Sequence, residues 1–271
     1  FPYTTLFRST VFVFWKNRNK LKRTSFLLIN LAVADLLVGL SQMITTGGIY
    51  IPRYTHTNST HGDDVLKKWI LAVPSLCSPY ASLFFLVLIS LERAYALIWP
   101  LRHRIASFRG YIYSVIFVWA AATTLGALTL LIVKFNFLNR AHWMAALACI
   151  AALSLTTVCA CYVTIRARLG SNARATVANT DNTLEQNRKL SRTLFIVIGA
   201  SLVCWGSSSI AYFIFHLCSR CYRRLLLESF HIFHLGNSLV NPIIYSFKFP
   251  MFRKVLKRMR LKVTSKQYRV S

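Results

Sequence analysis

The stretch Phe26-Leu27-Leu28-Ile29-Asn30-Leu31-Ala32-Val33-Ala34-Asp35-Leu36-Leu37-Val38-Gly39-Leu40 decides the fold. Its polar side chains are Asn30 and Asp35, and Asp35 is one of only seven acids in 271 residues. A carboxylate inside a membrane-length run costs at least ~2.5 kcal/mol, so such a residue faces a polar interior. The rival reading, an acid in a soluble core, needs a soluble composition around it. The chain is instead 55% hydrophobic and 15% charged, well below the roughly 25% charge of soluble domains. Its mean hydropathy is +0.47.

That stretch lies in the first of six apolar windows, near 25–50, 70–98, 111–134, 143–165, 193–216 and 229–247. Each is long enough to cross a bilayer. A seventh, shorter run at Thr10-Val11-Phe12-Val13-Phe14-Trp15 reads as the tail of a first span. Residues 1–9 (Phe-Pro-Tyr-Thr-Thr-Leu-Phe-Arg-Ser) look like a translated sequencing adaptor. They are set aside, as any scar is, which leaves the first helix incomplete. The expectation is an all-α membrane protein: a seven-transmembrane helix bundle over 10–260 and a tail over 261–271.

The net charge of +26 is not spread evenly. Lys and Arg concentrate in alternate loops, at 16–23, 93–109, 166–192 and from 248 onward, which together hold 24 of the 33. An excess of Lys and Arg on one side marks the cytoplasmic face. The C-terminus is therefore expected inside and, with seven spans, the N-terminus outside. Charge arranged this way meets anionic lipid and an acidic partner surface, so no nucleic-acid partner is expected. The sequon Asn58-Ser59-Thr60 falls in an outer loop, open to glycosylation. Cys218 and Cys221 also fall outside, where a disulfide can form. Zinc binding there, with His216 nearby, would need further ligands. The other five cysteines (Cys77, Cys149, Cys159, Cys161, Cys204) read as small apolar fillers within spans.

Two spans carry polar motifs. Glu92-Arg93 closes the third at its cytoplasmic end, where an acid can pair with the arginine and hold it back. Ser75 and Ser82 lie five and three helical turns before Arg93, so one face runs about 27 Å from an outer polar position to that arginine. The last span ends Asn237-Ser238-Leu239-Val240-Asn241-Pro242-Ile243-Ile244-Tyr245. Asn237 and Asn241 share a face, and Pro242 removes a backbone donor. Residues 252–259 are expected to form a short basic amphipathic C-terminal helix suited to the inner leaflet.

Leu31-Ala32-Val33-Ala34-Asp35, Glu92-Arg93-Ala94 with Pro100-Leu101, Trp119, Cys204-Trp205 and Asn241-Pro242-Ile243-Ile244-Tyr245 follow one another in a telling order. In order and spacing the set resembles rhodopsin-like (class A) G-protein-coupled receptors over roughly residues 10–260. The resemblance implies a plasma-membrane receptor, not an enzyme, whose partners are an extracellular ligand, membrane lipid, a heterotrimeric G protein and, as a further candidate, arrestin. It implies an allosteric sodium ion, and no other cofactor, at Asp35, Ser82, Asn237, Ser238 and Asn241. The competing view of that set is an uncharged polar knot between helices. Trp205 matches the residue whose repacking links ligand to helix movement. Arg93, Tyr162 and Tyr245, with Glu92, Asn241 and Pro242, match the coupling and activation groups. The ligand pocket implied is Ser75, Pro79, Ser208, Tyr212, His231 and His234, with plain helix packing as the alternative.

The chain also departs from the family. Lys68 stands where the third span usually begins with a cysteine, and no cysteine lies in the very short loop 135–141, so the customary disulfide there cannot form. Ser154 stands near the usual proline of the fifth span, and Cys204-Trp205-Gly206-Ser207 also lacks one. Ser201 replaces a common phenylalanine. The missing disulfide, the short loop and the missing fifth-span proline are similar to the melanocortin, adenosine, cannabinoid and lysophospholipid group. Ser75 at the place of the amine-binding aspartate argues against a monoamine. The absence of a lysine in the seventh span before Lys248 argues against retinal. Asn187 stands where a second acid often restrains the arginine, leaving that task to Glu92 and implying ligand-free signalling. Rivals are a transporter or cation-conducting protein that uses Asp35, and a receptor remnant that no longer signals. No internal repeat of the transporter kind is visible.

Overall fold

The structure is a computed structural model that describes residues 26–41, 63–135, 138–175 and 199–207, with positions 196, 210, 233, 236, 237 and 240. Helices account for nearly all of these, and no strand occurs among the described residues. The long helices are α1 (Phe26–Ser41), α2 (Asp63–Ile98), α4 (Phe108–Phe135) and α5 (Arg140–Ala175), with the short α3 (Pro100–Ile105) between α2 and α4. Among the described residues, α2, α4 and α5 are each long and apolar enough to cross a membrane. This is a multi-pass helical membrane protein.

Buried positions in α1 recur at Leu27, Leu28, Leu31, Ala34, Asp35 and Val38, the three-to-four-residue period of a single helical stripe. In α4 the stripe is Val115, Val118, Ala122, Gly126, Thr129 and Ile132. Its opposite side carries exposed Ile112, Ile116, Phe117, Leu128 and Leu131. In water such a face would be polar; apolar on both sides, the helix is suited to lipid.

α2 is the central element, with α4 and α5 packed against it and touching each other little. Its Ala81, Phe85, Leu86 and Ile89 join the α1 and α4 stripes in one core. Gly126 lets α2 and α4 approach closely, because a Cβ there would overlap Cys77 Sγ and lie 3.2 Å from the Cys77 backbone nitrogen. Trp119 ties three helices together. Its ring meets Phe85 edge-on at 5.7 Å, and its Nε1–H donates to Asn30 Oδ1 at 3.3 Å.

The helix ends follow local chemistry. α2 stays helical through Pro74 and Pro79, and Ser78 Oγ donates to the Pro74 carbonyl at 2.6 Å. Pro100 then ends it, since the residue before a proline is driven out of helical geometry. Trp99 accordingly sits at φ −125°, ψ 68°, and Pro100 opens α3, where a missing N–H is harmless.

The expected spans 70–98 and 143–165 run longer as helices, over 63–98 and 140–175, because backbone hydrogen bonding continues past the apolar window. One expectation fails. Cys149 and Cys159 are exposed on α5 instead of filling the interior, while Cys77 and Cys161 are buried.

Candidate functional site

The first polar constellation lies mid-bundle. Asp35 on α1 is fully buried, and Ser82 on α2 donates to its Oδ1 at 2.6 Å. A bond that short to a carboxylate is of the charge-assisted kind. It joins residues 47 apart in sequence, and both sit on the stripes predicted to face the interior. Asn237 and Ser201 are buried as well. Asn237 Oδ1 and Ser201 Oγ find no hydrogen-bond partner among the described residues. Such an atom costs roughly 1–3 kcal/mol unless something fills its valence. Carboxylate, hydroxyl and amide oxygens are the hard donors a small alkali or alkaline-earth cation takes, so the donor types fit the sodium expectation.

Trp205 is buried against Leu83 of α2 and Ala151 of α5, with its ring 6.1 Å from that of Tyr80. It thus bridges the second half of the chain to the central helix, at residues that flank Ser82 along α2. Pro79 is buried and Ser75 half-buried in the N-terminal half of α2.

The second constellation lies at the opposite end of α2. Glu92 is almost wholly buried, its side chain 4% exposed, beside Arg93 at 12%. Arg93 Nε lies 3.1 Å from Glu92 Oε2, yet that N–H makes no directed hydrogen bond among the described residues. The pair is a charge contact without the aligned bond that would make it strong. The other carboxylate oxygen, Oε1, is 2.9 Å from His103 Nε2 on α3, and Tyr111 Oη on α4 is 3.2 Å from the same nitrogen. Ala94 packs on Cys161 and Ile165 of α5. Tyr162, next to that contact, accepts a hydrogen bond from Arg166 Nη1 at 3.0 Å.

His103 and Tyr111 were not anticipated from sequence. Asn30 stands out in the sequence as a polar side chain, but nothing there points to Trp119 as its partner. Ser208, Tyr212, His231, His234, Ser238, Asn241, Pro242, Tyr245, Asn58, Cys218 and Cys221 lie outside the described residues. A groove of about 680 Å³ between α2, α4 and α5 is lined by Phe84, Leu88, Leu91, Phe117 and Leu153, among others. It includes neither Ser75 nor Pro79, and several of its apolar walls, Leu91, Phe117 and Leu153 among them, are exposed.

Buried acid on α1, acid–arginine pair ending α2 and Trp119 bonded to Asn30 together define a rhodopsin-like receptor bundle. Residues 9–245 match the model of the 7 transmembrane receptor (rhodopsin family), and the chain belongs to that family. Among curated relatives it is 27% identical to lysophosphatidic acid receptor 3 of Mus musculus over 240 residues, 82% of this chain and 65% of that one. It is 25% identical to melanocortin receptor 4 of Danio rerio over 257 residues (90% and 76%). It is 26% identical to trace amine-associated receptor 5 of Pan troglodytes over 272 residues (91% and 78%). The chain spans about 65% of the length of the first of these. The first two similarities set it near the lysophospholipid and melanocortin receptors.

Proposed function

We propose that this chain is the membrane domain of a plasma-membrane receptor that passes an extracellular chemical signal to a heterotrimeric G protein. The observation that carries the reading is the Glu92–Arg93 contact: a buried charge pair at the inner end of the central helix, close but poorly directed. A pair of this kind restrains the arginine without trapping it. A ligand in the outer half of the bundle, near Ser75 and Pro79, changes the balance only by its differential affinity for the resting and active arrangements. Trp205, packed on α2 and α5, is the residue through which that preference reaches the inner half. Arg93, released from Glu92, then meets the G protein together with Tyr162, Tyr245 and the Asn241-Pro242 segment. Leu101 and Ile105 on α3 are largely exposed and offer an apolar face to the same partner, or to arrestin.

Asp35, Ser82, Asn237, Ser238 and Asn241 would hold a sodium ion, which neutralises the buried carboxylate and favours the resting arrangement. The short Ser82 bond and the unmet oxygen of Asn237 support this set. A monoamine ligand is disfavoured by Ser75, which offers no charge to an ammonium group.

The test is ligand-free nucleotide exchange on a panel of G proteins, using the full-length receptor in membranes with Arg93→Ala alongside. Exchange above receptor-free membranes that the substitution abolishes supports the proposal and names the transducer. Surface-located receptor that drives no exchange, with or without candidate ligands, overturns it in favour of a silent remnant or a cation pathway through Asp35.

A further inference from the structure

A serine inside a helix has two common outlets for its hydroxyl: solvent, or the backbone carbonyl one turn back. Ser78, Ser90, Ser114, Ser154 and Ser207 take the second, each donating to the carbonyl four residues earlier. Ser82 reaches across to Asp35 instead. Ser201 does none of these. It is 2% exposed, and its Oγ meets no hydrogen-bond partner among the described residues. Asn237 Oδ1 is in the same position, on a residue that is 4% exposed. Packing brings both oxygens toward the Asp35–Ser82 bond. Ser201 shares a helix face with Trp205, and Trp205 packs on Leu83 and Tyr80, which flank Ser82. A Cβ on Gly236, the neighbour of Asn237, would lie 3.9 Å from Cys204 Sγ, so the sixth and seventh spans meet one turn from Ser201.

Small hard cations complete their shells with water. A water bound to such an ion turns its lone pair to the metal and has both hydrogens left to donate. Asn237 Oδ1 and Ser201 Oγ are acceptors with nothing to accept among the described residues, and buried water sits where such unmet groups converge. We infer that Ser201 extends the cation site: together with Asn237 it anchors a water of the ion's coordination shell. The inference rests on the sodium site proposed above. Phenylalanine, common at this place in the family, has no oxygen to anchor that water, so the extension comes with this chain's departure from the family pattern. It ties the ion to the segment 199–207, which carries Trp205, as well as to α1 and α2.

Thermal unfolding of the full-length receptor, with sodium chloride replacing potassium chloride at constant ionic strength, reads the site without a signalling assay. The quantity followed is the sodium concentration that gives half of the full rise in Tm. Ser201→Ala should raise it about two- to tenfold, the worth of one hydrogen bond. Ser201→Phe should weaken sodium at least as far, whereas Ser201→Thr keeps the hydroxyl and should stay near the original value. Tm in potassium alone reports any purely structural effect of each change, which leaves the sodium midpoint where it was. Because one water is shared, Ser201→Ala and Asn237→Ala should shift the midpoint less together than the product of their separate effects. Sodium midpoints unaltered in Ser201→Ala and Ser201→Phe overturn the inference and leave the sodium site standing, and full additivity with Asn237→Ala overturns the shared water. An unsubstituted receptor with no sodium-specific rise removes the site itself, and the inference with it.

Discussion

At Asp35 a hydroxyl from the central helix helps a buried charge to be tolerated. Ser82→Ala removes the 2.6 Å donor and with it one hydrogen bond to the buried carboxylate. Thermal unfolding in detergent should register a loss of ~1–3 kcal/mol. Asp35→Asn keeps an acceptor for Ser82 but removes the charge, so the rise in Tm on exchanging potassium for sodium should vanish. A sodium-dependent rise that survives in this variant would mean the cation sits elsewhere. Asp35 was legible because an acid in an apolar run is conspicuous, and Ser82 because it shares a helix face with Arg93. His103 was not. It follows the break at Trp99 and Pro100, past which the helical period no longer says which residues face α2.

Among the elements, the contact between α2 and α4 depends on Gly126 having no side chain. Gly126→Ala forces an overlap with Cys77 Sγ and should cost ~1–3 kcal/mol by overpacking. Adding Cys77→Ala should recover only part, since the Cys77 backbone nitrogen remains 3.2 Å from the new methyl. Trp119 allows a cleaner separation of terms. Trp119→Phe keeps a ring facing Phe85 and loses the bond to Asn30, an expected ~0.5–1.5 kcal/mol; Trp119→Ala loses both, ~3–5 kcal/mol. Equal losses in the two variants would assign the whole effect to the hydrogen bond. The positions of α2, α4 and α5 could be read from hydropathy, but the outward orientation of Cys149 and Cys159 could not. In a span apolar on every side, residue type carries little information about which side meets protein and which meets lipid.

Across the whole molecule, the asymmetry of Lys and Arg predicts which side each loop occupies. A C-terminal epitope should bind antibody only after cells are permeabilised, and Asn58→Gln should abolish a glycosidase-sensitive mass shift. Antibody binding to intact cells would reverse the proposed orientation. The seven-helix class was legible because motifs on five separate spans kept one register, and the family match over residues 9–245 agrees. Ligand chemistry was less legible. It depends on side chains from several spans converging at the outer end, and no periodicity within one span reports that convergence.

The Asp35–Ser82 bond also bears on how the protein is made. A ribosome delivers α1 well before α2, since the two bonded residues are 47 apart. During that interval the carboxylate has no hydroxyl to meet, and a mid-span aspartate opposes release into lipid by ~2.5–3.5 kcal/mol on insertion scales. α1 is therefore expected to linger at the translocon and to enter the bilayer together with α2, as a pair rather than as two independent spans.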